Sequence, residues 1–214
     1  MPTEIRDHIL PYKRITPNDG QYFFGYYDLQ PFNLSEKYHL THKAPFMDRL
    51  QVKGDRCEIG MIEMENGKYH TLTETGAWNF QQGSMLSWSY TDAENEIVYN
   101  DILDGDYVGV VMNIQTGKKR YLEKPVATLS PSGRHAISIN FGRLYDFRPG
   151  YGYAEYRDPF YNENHSKEDG IFLIDMETGK AKLIISLDEL WNYCGDHFGE
   201  DKKLNVNHIT FNTD

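Results

Sequence analysis

One hairpin pattern occurs three times in this chain, and it limits the fold more than any other feature. The first copy runs from Gly60 through Met-Ile-Glu-Met-Glu-Asn to Gly67 and on to Leu72. The second runs from Gly109 through Gly117 to Leu122, and the third from Gly170 through Gly179 to Ile184. Each is an apolar strand, a turn ending in Asn-Gly or Thr-Gly followed by Lys, and a second strand. The glycine supplies the positive φ that a tight hairpin needs. Fifty residues separate Gly67 from Gly117, and 62 separate Gly117 from Gly179. A repeat of that length points to stacked supersecondary units.

A second pattern stands ahead of each hairpin. Gln30 to His42, Leu86 to Tyr99 and Leu129 to Ile139 each read as a short strand, a polar turn and an apolar strand. Two hairpins in series make a four-stranded antiparallel sheet, which is one blade of a β-propeller. The expected fold is therefore all-β, an incomplete propeller in a single domain over residues 1–214. The blade units fall at roughly 21–75, 84–125 and 128–187, with the next starting at 206 and running from His208 to Asp214. Three blades and a stub do not close a ring, since propellers use about four to eight. The expectation is a truncated product or fragment, or self-association through the open edge. A β-sandwich of short strands is the competing fold. Helix signal is sparse, and Ser186 to Asn192 reads as a short helix.

Composition narrows the function classes. The 214 residues carry 32 acidic and 22 basic side chains, a formal net charge of −10, with no basic stripe interleaved with aromatics. Nucleic acid is therefore not an expected partner. Mean hydropathy is −0.65, and no apolar run reaches the roughly 20 residues of a membrane helix. No membrane association is expected. The opening residues lack the apolar centre of a secretory signal, so the expected location is cytoplasmic as written, and periplasmic or secreted if a leader was removed. Cys57 and Cys194 are too few for a disulfide framework. Two reduced thiols fit a cytosolic address, with a single bridge as the alternative. No phosphate-binding loop, nucleophile elbow or dinucleotide fingerprint occurs.

Sixteen Tyr, eleven Phe and three Trp make the chain 14 % aromatic. Sheet packing accounts for most of them, and stacking on sugar rings is the functional use of the rest. The densest segment, Asn140 to Tyr153, puts Arg143 and Arg148 together with Tyr145, Tyr151 and Tyr153 within eleven residues. Guanidinium forks match carboxylates, and a phenol can exchange a proton. The alternative is a structural connection with rim tyrosines. Tyr26 and Tyr27 lie in an aromatic strand, and Gln81 and Gln82 offer amides to hydroxyls or to their own turn. Asn207 and His208 stand at the start of the fourth unit. Cys194 and His197 have a Cys-x-x-His spacing with His208 following, so a metal held by Cys194 and His208 is conceivable, although a fourth ligand is missing. The other histidines, His39 and His42 among them, read as satisfied or solvated.

Taken together, the segments Gly25-Tyr26-Tyr27-Asp28, Gln81 to Trp88, Asn140 to Leu144, Arg148 to Tyr153 and Asn207 to Phe211 resemble the propeller polysaccharide lyases, the relatives of oligogalacturonate lyase and ulvan lyase. The resemblance covers most of this chain but only the front half of such a propeller. It implies β-elimination on uronate-containing polysaccharide. That step needs a cation or metal to neutralise the carboxylate, a base for the C5 proton and an acid for the leaving oxygen. By this resemblance Arg148 or Arg143 neutralises the carboxylate and Tyr151, Tyr153 or Tyr145 is the acid or base. His208 is a base or metal ligand, so a divalent metal is a candidate cofactor. Tyr26, Tyr27, Gln81, Gln82 and Asn207 are the substrate-binding candidates, and the partner is an acidic polysaccharide or oligosaccharide. The departure is that catalytic relatives place histidines on the central face, whereas the Gln81-Gln82 segment offers amides, and an amide cannot act as a base. Two further readings are a non-catalytic glycan-binding or scaffold propeller and an inactive truncated remnant.

Overall fold

A computed structural model describes residues 12–26, 28–194 and 202–212. Twelve strands form three four-stranded antiparallel sheets, each in simple meander order. The first holds β1 (Gln21–Phe23), β2 (Tyr38–Ala44), β3 (Cys57–Glu63) and β4 (Tyr69–Thr75). The second holds β5 (Ser87–Trp88), β6 (Glu96–Leu103), β7 (Asp106–Asn113) and β8 (Lys119–Leu122). The third holds β9 (Thr128–Leu129), β10 (His135–Ser138), β11 (Gly170–Asp175) and β12 (Ala181–Ser186). These are the blades of an incomplete propeller, three successive sheets of the blade type, and not the two facing sheets of a sandwich.

The recurring turns have a common chemistry. In the second blade Asn113 Oδ1 accepts from the N–H groups of Gln115 and Thr116, and Gly117 N–H donates to the Asn113 carbonyl at 2.9 Å with φ of 70°. In the third blade Asp175 Oδ1 accepts from Glu177 and Thr178, and Gly179 N–H donates to the Asp175 carbonyl at 2.8 Å with φ of 76°. A short polar side chain thus caps the turn while the glycine reverses the strand.

The blades pack face against face. In the second blade Ile97 lies opposite Met112, and Tyr99 opposite Val110. These four point to the first blade and pack with Leu40 and Ile59. The neighbouring pair Val98 and Val111 points the other way, joining Leu129, Ala136 and Ile174 of the third blade. The period-two alternation of a strand therefore buries both faces of this blade. In the third blade Ile184 and Ile185, on β12, remain 42 % and 38 % exposed.

Among the described residues there are also two short helices, α1 (Phe141–Phe147) and α2 (Leu187–Cys194). Residues 202–212 carry no strand, so the expected inner strand at His208 is not formed among the described residues. Instead this segment lies against the blades, with Val206 and Ile209 packed on the cluster of Ala77, Met85, Ile139, Phe141 and Tyr153. No helix among the described residues is long and apolar enough to cross a membrane.

Candidate functional site

The insertion between β10 and β11 is built around Asn140 and Arg143. Asn140 caps α1, its Oδ1 accepting from Arg143 N–H at 2.9 Å. Its Nδ2 donates to Asp158 at 2.8 Å and to Asp169 at 2.9 Å. Arg143 is only 2 % exposed. Nη1 pairs with Asp158 at 2.8 Å and also reaches the Phe160 carbonyl. Nη2 donates to the carbonyls of Glu163 and Asn164, and Nε to that of Leu204. A guanidinium has five N–H donors, and here all are consumed inside the protein. Arg143 holds the insertion and residues 202–212 together and is not presented to a ligand.

Tyr153 is corrected in the same way. It is fully buried, its hydroxyl accepts from Asn100 Nδ2 at 2.8 Å, and its ring stacks on Phe141 at 4.3 Å. Burial pushes the phenol well above its ordinary value, so it is a core residue and not an acid or base. Tyr145 is half-buried, with its hydroxyl 3.4 Å from the Gln51 carbonyl. Between these tyrosines Gly152 is obligatory, since a Cβ there would lie 2.0 Å from Tyr145 N.

Just ahead of Gly150 the insertion is exposed over residues 146–149. Arg148 is exposed, makes no ion pair or side-chain hydrogen bond among the described residues, and lies over the Tyr151 ring at 4.2 Å. Tyr151 meets His208 edge-on at 5.7 Å, and His208 stacks on Tyr26 at 6.0 Å. A guanidinium, a phenol, an imidazole and a second phenol ring are thus aligned from three separate segments. The line is held from behind. Asn79 Nδ2 donates to the Tyr151 carbonyl at 2.8 Å, and Gln51 Nε2 to the carbonyls of Pro149 and Gly152. His208 itself adopts φ of 54°, a conformation that a non-glycine residue keeps only when its surroundings enforce it.

Next to this line lies a cavity of about 150 Å³ walled by residues from all three blades, α1 and the segment 207–210. Tyr26, Asp28, Gln82, Thr128, Asn207 and His208 are on its wall. Gln82 is 6 % exposed and its Oε1 has no hydrogen-bond partner. A buried amide oxygen left unpaired is costly and is satisfied by a ligand or water. Gln81 is exposed, and its N–H, like that of Gln82, donates to Asn79 Oδ1. It belongs to a self-bonded turn. Tyr27 lies outside the described residues. A larger groove of about 550 Å³, bordered by Arg120, Arg134 and His135, holds no unsatisfied buried group among the described residues.

Sequence reading did not single out Asp28, Thr128 or Gln51. Asp28 lies between β1 and β2 and Thr128 begins β9, so no shared repeat position marks them, and Gln51 carries no sequence signal either. No trio of His, Cys, Asp or Glu among the described residues is placed to hold a metal ion. Cys194 Sγ instead donates to the Leu190 carbonyl at 2.9 Å within α2, and His197 lies outside the described residues. Cys57 and Cys194 are both free thiols, and burial pushes the Cys57 thiol up.

His42 is wholly buried. Its Nδ1 donates to the Phe24 carbonyl at 2.5 Å, and its Nε2 accepts from Ser84 N–H at 3.1 Å. Burial lowers its pKa to about 4, so it is a neutral, structural imidazole.

No family model matches this chain. No curated protein matches it either. Among solved structures it is similar to TolB from Acinetobacter baumannii, at 11 % identity and a TM-score of 0.44 over 80 % of this chain and 34 % of that one. Oligogalacturonate lyase from Vibrio parahaemolyticus gives 14 % identity and a TM-score of 0.49 over 80 % of this chain and 42 % of that one. An uncharacterized protein from Listeria monocytogenes EGD-e gives 12 % and 0.39, over 83 % and 57 %. The chain thus spans from 34 % to 57 % of the length of these structures. At such identities the likeness is one of chain trace, and the blades are established by the three sheets themselves.

Proposed function

We propose that the face formed by Arg148, Tyr151, His208 and Tyr26 binds a uronate-containing oligosaccharide. The observation that carries this reading is Arg148, a guanidinium stacked on an aromatic ring and paired with no carboxylate among the described residues. A sugar carboxylate supplies the missing partner, in the fork geometry that arginine favours. The Tyr151 and His208 rings, with Tyr26 buried behind His208, offer stacking faces for pyranose carbons, and the unpaired Gln82 amide oxygen accepts a sugar hydroxyl. Asp28 on the cavity wall repels an anion there, so the carboxylate belongs on the Arg148 side and the neutral hydroxyl edge in the cavity.

The test is calorimetric titration with trigalacturonate beside a neutral galactose trimer. Saturable binding of the acidic trimer alone is expected, weakened about tenfold in Arg148→Ala, as the loss of one charge-assisted contact predicts. Equal affinity for the neutral trimer, or an unchanged Arg148→Ala variant, overturns the reading.

A second reading adds turnover, favoured by the contact between Tyr151 and His208. In β-elimination the imidazole takes the C5 proton and the C5–H electron pair becomes the C4–C5 double bond. The C4–O bond then breaks, and its oxygen takes the phenol proton. Arg148 stabilises the charge that builds on the carboxylate. Ultraviolet absorbance of the unsaturated product on polyuronates reports it. No rise alongside measurable binding leaves a non-catalytic recognition module.

A further inference from the structure

A different cavity, of about 280 Å³, opens between the second and third blades under the insertion. Five aromatic residues wall it, Tyr107, Phe141, Tyr156, Phe160 and Phe172. Tyr107 is fixed in place, its hydroxyl donating to the Tyr153 carbonyl at 2.9 Å and accepting from Tyr156 N–H at 2.7 Å. At the end of β10 the wall includes Ser138, 1 % exposed, whose Oγ has no hydrogen-bond partner. Buried hydroxyls are nearly always paired, so this one is a donor and acceptor in waiting.

Asp169 lies on the same wall and is 3 % exposed. One carboxylate oxygen accepts from Gly170 N–H and the other from Asn140 Nδ2, each at 2.9 Å. A carboxylate offers about four lone-pair sites, so it has room for another donor. Burial raises its pKa, which marks poor solvation of the charge. Lys124 and Arg157 face Asp106, Glu168 and Asp169 around the cavity. Both cations are already engaged with rings, Lys124 over Phe172 at 5.1 Å and Arg157 over Tyr161 at 3.5 Å. The balance of charge therefore repels an anion and gives no reason for one to enter.

We propose that this cavity binds a small neutral aromatic molecule bearing a hydroxyl group, a ligand of the phenol class. The aromatic walls take the ring by offset or edge contacts. The hydroxyl accepts from Ser138 and donates to Asp169, so that one ligand atom satisfies both. The site is separate from the face that carries Arg148.

Titration by fluorine NMR with 4-fluorophenol tests it, with fluorobenzene and 4-fluorobenzoate as comparators. 4-Fluorophenol is expected to bind saturably, and fluorobenzene and 4-fluorobenzoate at least about threefold more weakly, as one hydrogen bond is worth. Ser138→Ala is expected to weaken 4-fluorophenol binding about three- to tenfold. The same variant should melt no lower than the parent, because it removes an unpaired buried hydroxyl. Arg148→Ala should leave the affinity unchanged. Absence of saturable binding, tighter binding of 4-fluorobenzoate, an unchanged affinity in Ser138→Ala or a loss in Arg148→Ala each overturns the proposal.

Discussion

Arg143 and Arg148 are five residues apart in one insertion, and the protein uses them in opposite ways. Arg143 points inward, is ion-paired to Asp158 and has its remaining donors filled by backbone carbonyls. Arg148 points outward, rests on Tyr151, and its guanidinium has no hydrogen-bonded partner among the described residues. The tyrosines divide likewise, Tyr153 bonded to Asn100 in the core and Tyr151 standing in line with His208. The difference teaches that residue type does not decide which cation is free for a ligand. Burial and the count of satisfied donors decide it.

The largest test of this contrast is removal of the inward arginine. Arg143→Met strands the Asp158 carboxylate and several carbonyls, so a loss of about 3–5 kcal/mol in urea unfolding is expected. A loss under about 1 kcal/mol would break the distinction. The histidines carry the same contrast, with His42 enclosed and His208 exposed. The unfolded chain protonates His42 near pH 6.5 and the folded chain near 4. Above pH 6.5 the group adds no pH dependence, because both states are neutral. As pH falls from 6.5 to about 4 the unfolded state gains the proton first, and about 3 kcal/mol of stability is lost. Denaturant midpoints measured across that range should fall, and His42→Gln should flatten the slope.

The outward side is predicted to behave in reverse. Arg148→Ala should shift unfolding by less than about 0.5 kcal/mol while trigalacturonate affinity drops about tenfold. The smallest effect separates the two phenols. Tyr153→Phe should cost about 1 kcal/mol through the lost Asn100 contact, and Tyr151→Phe should leave thermal stability unchanged.

The blades were readable in the sequence because each turn repeats Gly67, Gly117 or Gly179 at the place where positive φ is needed. The alternation of Ile97, Val98 and Tyr99 likewise announces a strand with two buried faces. The candidate site was harder to read. Arg148, Tyr151, His208 and Tyr26 were each singled out, but their alignment depends on Asn79 and Gln51 gripping the loop from distant segments. Arg143 and Tyr153 look identical to their outward-facing neighbours Arg148 and Tyr151 until Asp158 and Asn100 are placed in space. Helix α1 was missed because two glycines and a proline nearby suggest turns, whereas the cap by Asn140 decides the local conformation. Residues 206–209 find apolar contacts on the existing blades and form no strand among the described residues.

Burial of both faces of the second blade has a kinetic consequence. In a stacked array each unit draws its stability from its neighbours, and among the described residues this blade has one on either side. Amide protons of β6 and β7 should then exchange with solvent last, through opening of the entire molecule, while those of β12 leave through partial fraying. Damage that starts at Ile184 and Ile185 can peel away one sheet and leave the remaining two closed on each other.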